Sequence, residues 1–296
     1  MIVERGQVAH TEHLPITAVI CVRNREGSIA ECIASVAASR PGRILVVDGN
    51  STDATADIAR KAGADVVSDD GAGLGAARRL GAELAETPWI AYVDSDARVT
   101  PSTLSALLEV AEADGYDAVQ AKLHSTTSDL TYWQRGEIWR RRMQEHPGPA
   151  ALIGCQATLV RRSLLLSVPF DATFGGAAED HDWCFRATAA GATLAHADRA
   201  IAYHEDRASF AEFVAQRFWY GRGMARLLMR HRRLAPQART ASAGTMRTPR
   251  YVPFMLTSWA VTALGMAVET AALALNPGVR RRLREGAPSG RPAIPG

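Results

Sequence analysis

Residues 15–53 read PITAVICVRNREGSIAECIASVAASRPGRILVVDGNSTD, and this stretch decides the fold. Ile16 to Val22 (ITAVICV) and Arg43 to Val47 (RILVV) are short apolar runs rich in β-branched residues, the pattern of strands buried on both faces. Between them Ile29, Cys32, Ile33 and Val36 recur at helical spacing, and Ser28 is a plausible cap. Strand, helix and strand in this length make a parallel crossover unit. Outward from it, the spacing predicts a helix over 53–62, a strand over 65–67, a helix over 75–85 and a strand over 89–93. Strands that alternate with helices give an open, mostly parallel α/β sheet flanked by helices, and ligands of such sheets lie beyond the carboxyl ends of the strands.

The polar residues after each strand therefore carry the functional reading. They are Arg23-Asn24-Arg25-Glu26, then Asp48-Gly49-Asn50-Ser51-Thr52-Asp53, then Asp94-Ser95-Asp96. Solvated turns would account for one or two acidic loops. Asp94 and Asp96, however, follow the apolar run WIAYV without a glycine, and two carboxylates one residue apart at a buried strand end repel unless a positive group sits between them. A hard divalent cation, Mg2+ or Mn2+, supplies that charge and suits a substrate diphosphate.

Composition sets the remaining bounds. The 296 residues are 47% hydrophobic and 22% charged, which excludes disorder and leaves ample material for a core. The formal net charge of +3 hides an asymmetry: residues 1–206 hold 19 basic and 28 acidic side chains, residues 207–296 hold 15 and 3. An acidic body with a basic tail fits phosphate groups or an anionic membrane surface better than nucleic acid, for which no reading module is present. Cys21, Cys32, Cys155 and Cys184 lack the close spacing of a zinc or redox site and read as free thiols of a reducing compartment. The first residues, MIVERGQVAHTEH, are polar where a signal peptide needs an apolar run. Residues 252–268, VPFMLTSWAVTALGMAV, are uncharged, and arginines flank them on both sides at 247, 250, 280, 281, 282 and 284. A helix or short helical hairpin lying in the cytoplasmic leaflet is preferred over a single span for this tail, and a buried helix packed on the body is the third reading.

Five motifs in order, PITAVICVRNRE, VVDGNSTDAT, GLGAARRLG, WIAYVDSDA and GGAAEDHDWCFRATAAGA, make the chain resemble the family 2 glycosyltransferases over about residues 14–220. The resemblance implies the GT-A fold and an inverting, metal-dependent transfer of a sugar from a nucleotide diphosphate donor, UDP or dTDP in type, to a hydroxyl acceptor. It implies a catalytic domain over 14–225, with a nucleotide-sugar half at 14–100 and an acceptor half at 101–225, and a basic, apolar tail over 226–296. Val22, Arg23, Glu26, Asp48, Gly49, Ser51, Arg78, Asp94 and Ser95 are then expected at the donor, with Asp48 accepting from the base. Glu26 reads equally as a residue of a helical first turn. Asp96 and His204 are expected to hold Mn2+ or Mg2+, although a lone histidine is more often structural.

By the same resemblance Asp180 is the general base and Glu179 orients it or the acceptor, while two acids at a helix start also have a dipole reading. Arg217 and Arg222 are expected at the leaving diphosphate. The donor sugar would be discriminated around residues 152–156. YGRGMARLLMRHRR before an apolar run is closest in style to membrane-associated members that build polysaccharides or glycolipids, so a lipid-linked glycan is the favoured acceptor. Two rivals stand beside this: a catalytically silent nucleotide-sugar-binding membrane adaptor, and a dinucleotide oxidoreductase suggested by Gly71, Gly73, Gly75 and Ala76.

Overall fold

The computed structural model describes residues 13–143, 146–174, 176–231 and 248–285. Its centre is a nine-stranded sheet in the order β3-β2-β1-β4-β8-β6-β9-β5, with β7 paired to β9. The first half follows the periodicity. Strands β1 (Leu14–Val22), β2 (Pro41–Asp48), β3 (Asp65–Ser68) and β4 (Trp89–Val93) pair in parallel. They are joined by α1 (Ile29–Ala38), α2 (Thr55–Lys61) and α3 (Leu74–Leu84). Ile16, Ala18, Ile20 and Val22 point to one face of the sheet and Val19 to the other, so β1 is buried on both sides.

The second half departs from parallel order. It runs β5 (Ala97–Val99), α4 (Thr103–Ala113), β6 (Ala118–Ser125), α5 (Tyr132–Arg142), β7 (Gly148–Pro149), β8 (Ala157–Arg161), α6 (Arg162–Ser167), α7 (Glu179–Ala189), β9 (Leu194–His204) and α8 (Phe210–Arg230). Strand β8 lies antiparallel between β4 and β6, while β9 is parallel to β6. Helices α1 and α4 cover one face of the sheet, α3, α6 and α7 the other. One sheet thus runs through both expected halves of the catalytic region.

Beyond α8 lie α9 (Val252–Leu275) and α10 (Pro277–Glu285). Helix α9 is the one helix among the described residues long and apolar enough to cross a membrane by length and composition. It packs along α8. A methyl group on Gly265 would collide with the Phe218 carbonyl oxygen, and one on Gly221 with that of Thr262, so both glycines permit the two backbones to meet. An aromatic cluster holds the start of α9 to the body: Trp133 stacks on Phe213 with ring centroids 4.7 Å apart, and Phe213 lies 5.2 Å from Phe254. The other face of α9, with Leu256, Trp259, Leu264 and Val268, is exposed.

Ion pairs fasten α8 along its length. Arg217 binds Glu137 on α5, Arg222 and Arg226 bind Glu269 on α9, and Arg230 binds Asp171 and Asp182. The three carboxylates at Glu137, Asp171 and Glu269 share one response. Burial would raise each, but the arginine contacts, joined at Asp171 by hydrogen bonds from Thr173, outweigh it and hold all three below their ordinary range.

Several details depart from the sequence reading. Ser28 takes the N-cap position of α1, but its side chain makes no capping bond; its hydroxyl donates to the Ser95 carbonyl 3.2 Å away. The helix expected from residue 53 starts at Thr55, because the Asp53 side chain accepts from the Thr55 amide and leaves 53 outside the coil. Gly75 serves packing: a methyl there would stand 2.5 Å from the Asp171 carbonyl oxygen, so the chain at 171–174 covers the start of α3 where a dinucleotide would need access. Residues 1–12, Gly175, 232–247 and 286–296 were part of the sequence reading and lie outside the described residues.

Candidate active site

The loops after β1, β2 and β4 lock together at the carboxyl edge of the sheet. Gly49 donates its amide to the Val22 carbonyl at 2.8 Å, and a side chain at 49 would press on that oxygen. The Asn24 amide donates to Ser51 Oγ at 2.9 Å, and the Thr52 amide donates to Asn24 Oδ1 at 2.9 Å. Asn24 and Asn50 take the left-handed conformation, which asparagine tolerates. At the end of β2, Asp48 is buried; its Oδ2 accepts from the Ser51 amide at 3.0 Å, and its Oδ1 is buried with no partner. An unpaired buried carboxylate oxygen beside a strand end is a ready acceptor for a ligand N–H.

Asp94, Asp96 and His204 offer ligand atoms that all lie within 4.8 Å of one another. They converge because β5 and β9 pair antiparallel, with Ala97 opposite His204. His204 Nε2 is 3.4 Å from Asp96 Oδ1, and its Nδ1 is 3.9 Å from Asp206 Oδ1. Two carboxylates and an imidazole fit a divalent cation of the Mn2+ or Mg2+ class. Burial pushes Asp94 above the usual carboxylate range, against the opposing pull of Arg78. Ser28, just before α1, and Cys32 on α1 hold the loop through the carbonyls of Ser95 and Asp94.

Arg78 on α3 links this loop to the start of α7. It is 4% exposed, binds Glu179 directly, and lies 3.4 Å from Asp94 Oδ1. The Tyr92 hydroxyl donates to its carbonyl at 2.8 Å. Burial pushes Glu179 up to about 8, with Arg78 opposing. Asp180 follows, half-buried, with Oδ1 accepting from the His181 amide at 2.8 Å. Ala178 precedes them in the left-handed conformation, a strained setting for a residue with a Cβ that turns the chain sharply into α7.

Some expected residues lie elsewhere. Arg217 is 6% exposed and occupied by Glu137, and Arg222 is bound to Glu269, so neither is placed at the carboxylate cluster. The cations that reach Asp96 are Arg207, at 3.4 Å, and Arg25, at 3.8 Å. Neither was singled out from the sequence, though Arg25 stands in the first quoted loop. Glu26 accepts from the Ala54 amide at 3.1 Å and donates its own amide to Asp53, which makes it a clasp at the start of α2. Arg23 is exposed beside Gly49. Within 152–156, the Gln156 carbonyl accepts from the Asp94 amide at 3.0 Å, and Gln120 bridges to Gln156 and Gly154.

The family model described as glycosyl transferase family 2 matches residues 17–166, half of the chain. The chain belongs to that family. An uncharacterized glycosyltransferase of Mycobacterium bovis is 39% identical over 108 residues, 36% of this family 2 chain and 48% of the relative. The pre-mycofactocin glycosyltransferase of Mycobacterium tuberculosis is 27% identical over 237 residues, covering 74% of the chain and 48% of the relative. The chain spans about half the length of these curated relatives. Among solved structures, glucosyl-3-phosphoglycerate synthase from Mycobacterium tuberculosis, in complex with Mn2+, UDP and glucosyl-3-phosphoglycerate, superimposes with a TM-score of 0.54 at 22% identity. That alignment covers 72% of this chain and 78% of the synthase, and it agrees with the GT-A fold.

Proposed function

We propose that the protein is an inverting, metal-dependent glycosyltransferase that moves a sugar from a UDP- or dTDP-type donor to a hydroxyl group. The observation that carries this reading is the convergence of Asp94, Asp96 and His204 at the carboxyl edge of the parallel strands. A Mn2+ or Mg2+ ion held by Asp96 and His204 would neutralise the donor diphosphate. The solved synthase was crystallised with Mn2+ and UDP, which supports that cofactor class. Asp48 Oδ1 accepts the imide N–H of the base, Val22, Gly49 and Ser51 shape its seat, and Asp94 with Ser95 meets the ribose. Arg25 and Arg207 face the diphosphate.

In the transfer, the acceptor oxygen bonds to the anomeric carbon as the bond from that carbon to the diphosphate oxygen breaks, with inversion. Asp180 takes the acceptor proton, and the nucleoside diphosphate leaves with the bonding pair. Glu179, fixed by Arg78, orients Asp180. The division into a donor half at 14–100, an acceptor half at 101–225 and a tail from 226 belongs to the same reading. The acceptor is a lipid-linked glycan at the cytoplasmic face of a membrane. Support for that site comes from the exposed apolar side of α9 beside the exposed Arg280, Arg281, Arg282 and Arg284.

A screen of nucleotide sugars with Mn2+, read as donor hydrolysis by mass spectrometry, tests the proposal. At least one UDP- or dTDP-sugar is expected to be consumed, and Asp96→Ala to abolish the turnover. Donor binding without turnover would favour the silent adaptor instead.

A further inference from the structure

The turn that leads into Glu179 and Asp180 is clasped by α8. A methyl group on Gly176 would stand 3.0 Å from Trp219 Nε1, and one on Gly223 would stand 2.5 Å from the Ala177 carbonyl oxygen. At this seam a cavity of about 180 Å3 opens between the 176–177 turn and Trp219, Arg222, Arg226 and Glu269. Ala177 is three residues from Asp180, a reach of at most roughly 11 Å. The cavity therefore adjoins the carboxylate assigned to the acceptor hydroxyl, and it is walled by residues that hold none of the donor groups.

Its charge and size point to an anion. Two guanidinium groups face one carboxylate, so matching Glu269 leaves one positive charge over. Arg222 keeps 47% of its side chain exposed and Trp219 is 41% exposed, so a donor fork and an indole edge are presented to whatever enters. Sites for whole drug-sized ligands occupy about 300–1,000 Å3, so this cavity suits one compact group of a larger molecule. A phosphate fits: arginine offers it paired N–H donors, and charge-assisted bonds of that kind are the strong ones.

We propose that this cavity binds a phosphate carried by the acceptor and thereby sets the acceptor hydroxyl against Asp180. The proposal rests on the transferase reading above and names the acceptor class, a phosphorylated molecule. The phosphate belongs either to a polyprenyl lipid lying along the exposed face of α9 or to a soluble phosphorylated acceptor. Glu269 acts as the internal stand-in that occupies the arginines until the acceptor arrives.

Calorimetric titration of the full chain tests this, with a polyprenyl monophosphate and the matching uncharged polyprenol in the same detergent micelles, and with inorganic phosphate. The monophosphate is expected to bind about tenfold or more tighter than the polyprenol. Arg222→Gln is expected to lose that advantage, whereas Glu269→Gln, which frees both arginines, is expected to tighten phosphate binding several-fold. Opposite signs in the two variants separate recognition from a structural ion pair, and the Glu269→Gln arm stands even where Arg222→Gln fails to fold. Displacement of the lipid by inorganic phosphate at similar concentration assigns a soluble acceptor; failure of displacement assigns the lipid. Equal binding of monophosphate and polyprenol, or weakening in both variants, overturns the proposal. Wild-type donor hydrolysis, measured without acceptor, tests the transferase reading separately, so either can fail alone.

Discussion

Replacing Gly265 by alanine offers a direct measure of whether α9 lies on α8. Within an exposed helix the change would help by about 1 kcal/mol, since alanine is the better helix former. Here the new methyl group would sit inside the contact distance of the Phe218 carbonyl oxygen and 3.2 Å from Gly221 Cα. Backbone cannot swing aside as a side chain can, so the helices must part by roughly 1 Å, and a gap of that size forfeits about a quarter to a half of each dispersion contact it opens. Overpacking of this kind costs about 1–3 kcal/mol. With backbone atoms as the obstacle the cost lies in the upper part of that range, about 2–3 kcal/mol, and less the propensity gain of about 1 kcal/mol the net loss is roughly 1–2 kcal/mol, or about 2–8 °C in Tm at about 2–4 °C per kcal/mol. Thermal unfolding by circular dichroism and amide exchange along 252–275 read it. Ala267→Leu on the exposed side should shift stability by less than about 0.5 kcal/mol. A Gly265→Ala protein as stable as the parent, with unchanged exchange, would refute the close crossing.

Further outcomes concern the site and its supports. Asp180→Asn is expected to lower kcat by about 10²–10⁴-fold while KM for the donor stays within a few-fold, checked by steady-state transfer assays. Arg78→Met leaves the buried Glu179 without its partner and should destabilise by about 3–5 kcal/mol, with much of that recovered in Arg78→Met/Glu179→Leu; urea unfolding of the three variants decides, and strict additivity would rule out the pairing. Glu137, Asp171 and Glu269 have folded pKa values below their ordinary 4.5, 3.8 and 4.5, so their stabilising effect is complete above those values and is lost as pH falls through the lower folded ones. Acid should therefore release α8 first, seen as faster exchange in 210–230 below about pH 4. Binding to vesicles should strengthen with anionic lipid by about 1 kcal/mol for each of Arg280, Arg281, Arg282 and Arg284 that reaches the surface, and cosedimentation at two salt concentrations measures it.

Local pattern carried the first hundred residues well. Strands β1, β2 and β4 are apolar runs, and each ends in a polar loop at the candidate site. The pair Asp94 and Asp96 was legible because two acids without a glycine are unusual after a buried strand, whereas His204 was expected from the family resemblance; the structure brings the three together. What escaped depends on long-range pairing. Nothing in the spacing shows that β8 inserts antiparallel between β4 and β6, since a short apolar run carries no direction. The partners of the arginines were equally hidden: Arg217 and Arg222 stand near the end of the expected catalytic domain in sequence, yet Glu137 and Glu269 claim them in space. Arg207 reaches Asp96 from 111 positions away, a contact that only the β5–β9 pairing creates. Gly221 and Gly265, unremarked as isolated glycines, proved to be the crossing point of two helices.

The pairing of Ala97 with His204 also sets an order of events during synthesis. A chain emerging from the ribosome completes its first parallel strands early, yet His204, the third member of the Asp94–Asp96–His204 cluster, arrives more than a hundred residues later. Closing so long a loop is slow compared with forming the local crossover units. A nascent chain that has built the early crossover units therefore still lacks the imidazole, and the three-residue cluster can assemble only once the last strand has docked.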